Sequence, residues 1–114
     1  MTKYSFAFLD KFKKDYKEAK KKNQKLDYEF ADFLESFEHK KGDIVAGTNG
    51  AQKIRMAGFG KGKSGSYRIY YYFCFETKVY LLRLYAKSNT DELTIKEKIE
   101  IFEIIKTIKL SRKS

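Results

Sequence analysis

Three predicted strands, over residues 52–57, 67–75 and 78–86, carry basic and phenolic side chains at alternating positions. Alternate side chains of a strand project from the same face of a sheet. One face would therefore present Lys53, Arg55, Arg68, Tyr70, Tyr72, Arg83 and Tyr85, with Lys87 just beyond the last strand. Cations neutralise phosphates and aromatic rings stack on unpaired bases, so this combination is typical of RNA binding.

The opposite face of the same strands is apolar and suited to packing under helices. It comprises Ile54, Met56, Ile69, Tyr71, Phe73, Phe75, Tyr80, Leu82, Leu84 and Ala86. An alternative interpretation is that Tyr70 and Tyr72 cover a second small core beneath the last helix. Periodicity alone does not decide whether that helix covers the basic face or leaves it open.

Residues 58–65 are predicted to be a glycine-rich loop, in which Lys61 and Lys63 alternate with glycine. Glycines let the backbone approach a phosphate closely, so contact with an RNA backbone is the favoured interpretation. The alternative is a flexible loop with solubilising lysines. The loop lacks the spacing of a nucleotide P-loop and follows a strand without opening a helix, which argues against ATP or GTP hydrolysis.

The elements that must position these strands are mostly helical. Residues 4–8 alternate in the way of a short strand, although the start of a helix is a rival interpretation. Helices are predicted from Asp10 to about Lys22 and around the apolar stripe Leu26, Phe30, Phe33, Leu34 and Phe37. The final helix begins at Thr94, where Thr94 and Glu97 can form a capping box. Its stripe of Ile95, Ile99, Phe102, Ile105 and Ile108 must pack on the domain or on a partner.

The net charge of +10 indicates an anionic partner, and the excess is local. Residues 53–87 contain eight basic side chains and one acidic side chain, a net +7. The 114 residues suit a single domain, and neither a membrane span nor a signal peptide is expected, which predicts a cytoplasmic protein. One cysteine and one histidine cannot build a structural zinc site, and no metal or cofactor is expected.

The sequence between Gly42 and Leu93 resembles the RelE/HigB toxins of the RelE/ParE superfamily, which belong to bacterial type II toxin-antitoxin systems. The resemblance rests on the segments 42–45, 47–50, 53–57, 60–65, 67–71, 80–82 and 85–87 in this order. It implies an α+β fold, with a small antiparallel sheet, two N-terminal helices on one face and a C-terminal helix. It also implies ribosome-dependent cleavage of messenger RNA and neutralisation by a cognate antitoxin.

The resemblance further implies which residues act. Lys53 and Arg55 match the basic pair on the second strand of RelE, Arg68 the arginine of the third strand, and Lys87 the lysine ending the fourth. Metal-free cleavage needs a base for the 2′-hydroxyl, positive charge on the transition state and an acid for the leaving oxygen. Arg68 is the first candidate for the phosphate, because a guanidinium can hold two oxygens in a fixed fork. The base would be a lysine or Tyr85.

Some features depart from the family pattern. Ser88 stands where RelE has another arginine, and the histidines used by some HigB proteins are missing, since His39 precedes the sheet. Two alternatives therefore stay open. One is a ParE-like poison of DNA gyrase, which needs no catalytic residues, and the other is a non-catalytic nucleic-acid-binding module.

Overall fold

A five-stranded sheet with helices on both faces forms the described part of the protein. The computed structural model describes residues 3–56, 67–86 and 92–111. The order along the chain is β1 (Ser5–Phe8), α1 (Asp10–Lys22), α2 (Leu26–Ser36), a 3-10 turn (His39–Lys41), β2 (Asp43–Ile44), β3 (Gln52–Met56), β4 (Tyr67–Cys74), β5 (Lys78–Ala86) and α3 (Ile95–Ser111). The α+β class and the three predicted helices are confirmed.

The sheet has the strand order β1-β5-β4-β3-β2. All pairings are antiparallel except that of β1, which lies parallel to β5, with Ser5 opposite Lys78. The strand interpretation of the first residues is thus correct. β2 was not predicted from the sequence, and it is only two residues long. No described helix is long and apolar enough to cross a membrane.

α1 and α2 cover one face of the sheet, as predicted. Phe12 and Leu26 are buried there against Ile69 and Tyr71 of β4. The Tyr71 hydroxyl donates to the carbonyl of His39 at 2.9 Å. A Cβ atom on Gly42 would lie 1.9 Å from that hydroxyl, so only glycine fits at this position. The segment that leads into β2 is thereby held against the sheet.

α3 covers part of the other face and creates a second core. Ile101 and Ile105 pack against Tyr70, Tyr72 and Leu82. The sequence analysis assigned Leu82 and Tyr80 to the opposite face, and this was wrong. The register shifts between Tyr70 and Tyr71, whose partners on β5 are Arg83 and Leu81. The extra residue on β5 is a bulge, and it reverses the alternation below that point.

The end of β4 differs in detail from the prediction, whereas the start of α3 agrees with it. β4 ends at Cys74, and residues 75–77 form the turn, with positive φ at Phe75 (55°) and Glu76 (67°). Phe75 is consequently 49% exposed and does not face α1 and α2. The capping box is confirmed, because the Thr94 amide donates to Glu97 at 2.8 Å and the Glu97 amide donates to the Thr94 hydroxyl at 3.1 Å.

Candidate nucleic-acid interface

An open depression of about 510 Å³ lies at the β2 side of the sheet. Its lining comprises Lys41, Asp43, Lys53, Ile54, Arg55 and Arg68. Four cations and one carboxylate give this lining a formal charge of 4 − 1 = +3. Three residues predicted to act on RNA, Lys53, Arg55 and Arg68, are therefore brought together. Their convergence is suited to holding a phosphate group.

The register of the sheet explains why these residues converge. Arg55 on β3 lies directly opposite Arg68 on β4, and Lys53 lies opposite Asp43 on β2. Side chains at directly opposed positions have Cβ atoms about 5 Å apart, and like charges there destabilise the pair. The register therefore places two cationic side chains next to each other on this part of the sheet. The pairing of β3 with β4 thus builds a site whose charge favours an anionic ligand.

Tyr85 occupies the next position of the same row, opposite Arg68 on β5. Its hydroxyl donates to Glu97 of α3 at 2.6 Å. Burial, together with this hydrogen bond, raises the pKa of Tyr85 above its ordinary value of 10.0. A phenol in this state is a poor proton acceptor at neutral pH, so the suggestion that Tyr85 is the base is not supported. Its position suits holding α3 beside the row of arginines.

Arg83 was expected to contact RNA, but its guanidinium is held inside the protein. Its Nε and Nη2 atoms donate to the carboxylate of Asp15 on α1 at 2.7 and 3.1 Å, and the side chains of both residues are 16% exposed. Glu97 lies 3.9 Å away on the other side. Burial alone would lower the pKa of Arg83, but the hydrogen bond and charge of Asp15 outweigh it and raise the pKa. Arg83 on β5 thus connects α1, through Asp15, with α3, through Glu97. The prediction that Arg83 contacts RNA is therefore corrected, because its guanidinium is engaged within the protein.

Tyr70 and Tyr72 do not lie on an open surface. Tyr70 is 1% exposed and Tyr72 is 7% exposed, both under α3. Tyr70 also packs edge-on against Tyr85, with ring centroids 5.9 Å apart. The expectation that these two rings stack on bases was wrong for this structure, and the alternative of a second core is confirmed.

The remaining predicted site residues, Lys61, Lys63 and Lys87, lie outside the described residues. Two residues of the depression were missed by sequence reasoning, Lys41 and Asp43. The sequence offered a partial indication of these two residues, because they flank Gly42, where the family resemblance begins. Asp43 is the described lining residue that carries a carboxylate, whereas the sequence analysis considered only a lysine or Tyr85 as the base.

No model of a protein family matches this sequence. Among solved structures, the chain is similar to an arginine-to-alanine double mutant of the E. coli toxin RelE in the free state. The two chains share 19% identity with a TM-score of 0.45, over 79% of this chain and 90% of that one.

Proposed function

We propose that the chain is the toxin of a type II toxin-antitoxin module that cleaves messenger RNA on the ribosome in the cytoplasm. The observation that carries the proposal is the convergence of Lys53, Arg55 and Arg68 in one open depression. The sequence resemblance over residues 42–93 points to the same three positions independently of their geometry. The basic surface suits both messenger and ribosomal RNA, and it suits an acidic antitoxin.

In this mechanism the protein supplies charge and position. Arg68 and Arg55 hold the scissile phosphate and stabilise the negative charge that develops in the transition state. Lys53 assists from the neighbouring row of the sheet. Asp43, within the same lining, takes the proton of the 2′-hydroxyl. The 2′-oxygen then bonds to phosphorus, the bond between phosphorus and the 5′-oxygen of the next nucleotide breaks, and that oxygen takes a proton from water. Such a small set of groups fits an enzyme whose substrate is oriented by the ribosome.

The proposal is tested by brief expression of the protein and of its Arg68→Ala variant, with mapping of messenger RNA ends. The wild type is expected to stop growth and to produce cuts in phase with codons. Arg68→Ala is expected to lose at least about 100-fold in cleavage, the cost typical of removing one transition-state donor. Lys17→Ala, which removes an exposed cation on α1 away from the depression, is the matched control and should remain toxic. Toxicity of Arg68→Ala equal to that of the wild type would contradict the proposal.

The gyrase alternative is favoured by one observation. Tyr70 and Tyr72 are buried and Tyr85 is bound to Glu97, so the phenols expected to serve RNA are occupied within the protein. The same expression experiment separates the two activities. Induction of the DNA-damage response with intact transcripts would support a gyrase poison and would reject the ribonuclease.

A further inference from the structure

α3 carries two apolar faces, and only one of them packs on the sheet. The inner face buries Ile101 and Ile105 in the second core. The outer face leaves four large apolar side chains exposed, Ile95 at 78%, Ile99 at 57%, Phe102 at 40% and Leu110 at 58%. A surface helix ordinarily has a single apolar stripe, which faces its own core. Among the described residues, none buries this outer apolar face of α3.

The spacing of the outer side chains is that of a helix that pairs with another helix. Ile95, Ile99 and Phe102 follow steps of four and three, the alternation of a and d positions in a heptad. Continuing this alternation leads to Lys106 and then to Lys109, and Leu110 lies next to Lys109, one turn beyond Lys106. The 17 residues of α3 rise about 25 Å, long enough for a partner helix to contact all these positions.

The charges of α3 define the chemistry of the partner. Lys106 and Lys109 stand at the last two a and d positions of this pattern, and Lys96 lies beside its first residue, Ile95. Glu100 is paired with Lys11 of α1 at 2.6 Å, which leaves Glu103 as the exposed acidic flank. In a pair of helices, a lysine at an a or d position and charges at the neighbouring positions determine which helix can bind as the partner. The partner that fits has apolar residues at heptad spacing and carboxylates beside them.

We propose that the outer face of α3 binds an acidic amphipathic helix from another protein. The inference goes beyond the proposed function, because it rests on α3 and not on the cationic depression. The antitoxin expected under that function would be one source of such a helix. A second copy of this chain fits less well, because antiparallel pairing of two α3 helices would bring Lys96 near Lys109 of the other copy and would join two chains of net charge +10. A lipid surface fits less well because Lys106 lies within the stripe.

The test uses the full chain and a designed, fluorescently labelled peptide of three heptads, with leucine at a and d and glutamate at e and g. A control peptide has lysine at e and g. Anisotropy should show binding of the acidic peptide and at least about 10-fold weaker binding of the basic one. The double variant Ile95→Ser with Ile99→Ser should weaken binding of the acidic peptide by about 10-fold or more. Ile44→Ser is the matched control, because Ile44 and Ile95 are both 78% exposed, and it should bind as the wild type does.

A charge reversal provides a second measurement that does not depend on apolar contacts. Lys106→Glu should weaken binding of the acidic peptide and strengthen that of the basic one. The proposal is overturned if the wild type does not discriminate between the peptides, or if the double variant binds the acidic peptide unchanged. It is also overturned if Ile99→Ser abolishes a dimer in sedimentation, or binding to phosphatidylserine vesicles, while no peptide binds. The assay contains no RNA, and the Arg68→Ala variant should bind the acidic peptide as the wild type does. Failure of the helix-binding proposal can therefore be distinguished from failure of the proposed function.

Discussion

Arg68 and Arg83 show how one residue type on one sheet face serves two purposes. Arg68 lies opposite Arg55 and lines the open depression. Arg83 lies opposite Tyr70 on the next row, and Asp15 of α1 holds its guanidinium. Strand alternation predicted the shared face, but it could not predict the ion pair, because Asp15 is 68 residues away in sequence. Charge that the sequence assigned to a ligand is therefore divided between an open depression and an internal ion pair.

Replacement of Asp15 by asparagine should lower the free energy of unfolding by about 2 kcal/mol, because it leaves the Arg83 charge largely buried with Glu97 at 3.9 Å as its remaining carboxylate. Urea denaturation measures this cost. Glu18→Gln is the matched control on the same helix, since Glu18 pairs with Lys21 where both side chains are about 65% exposed. That variant should change stability by less than about 0.5 kcal/mol. Equal unfolding midpoints for the two variants would show that the buried pair contributes nothing.

The strands and helices could be predicted from sequence patterns, but which helix packs on which face of the sheet could not. Alternating apolar residues predicted β3, β4 and β5, and the capping box placed the start of α3. The bulge at Leu82 was missed, although unbroken alternation would place the apolar residues Val79 and Leu81 on the basic face, which is the mark of a shifted register. The packing of α3 on the sheet could not be inferred from its sequence either, because the helix has apolar residues on two faces. The open aromatic face expected from alternation is consequently a second core.

α3 is joined to the sheet by Glu97, which makes its attachment dependent on pH. Burial would raise the pKa of Glu97, but hydrogen bonds from Tyr85 and Thr94 outweigh it and lower the pKa below its ordinary value of 4.5. A lowered pKa in the folded state stabilises the protein above about pH 4.5, and this stabilisation is lost as the pH falls through the lower folded value. The sign follows from the folded state binding the proton less tightly than the unfolded state.

Glu97→Ala should therefore lower the free energy of unfolding by about 1 to 2 kcal/mol at pH 7, through loss of the cap and of the Tyr85 hydrogen bond. The difference from the wild type should shrink as the pH is reduced below about 4, as measured by urea denaturation across the pH range. Glu103→Ala, at an exposed position of the same helix, is the control and should show a small difference at each pH. A difference for Glu97→Ala that stays constant down to pH 3 would contradict this assignment.

Over the whole molecule, the net charge of +10 is unevenly distributed. The sequence placed a local excess of +7 within residues 53–87, and the depression collects three of those cations together with Lys41. α1 carries a second group of lysines, of which Lys17 is exposed. Both groups would contribute to a general attraction of RNA, but close phosphate contact is expected only where the sheet register brings cations together. The salt dependence of binding separates the two contributions.

Binding of a short single-stranded RNA should weaken linearly in a plot of log K against log salt concentration, because each neutralised phosphate releases counterions. Lys53→Ala removes one cation from the depression, so the slope should decrease in magnitude by about 0.7, the value for one phosphate contact on a single strand. Lys17→Ala removes the same charge from the exposed face of α1 and should leave the slope nearly unchanged, since a lysine outside the contact releases no ions. Fluorescence anisotropy between about 0.05 and 0.3 M salt resolves this difference. Equal changes of slope in the two variants would mean that the RNA responds to the total charge of the molecule, and the depression would then have no special role in binding.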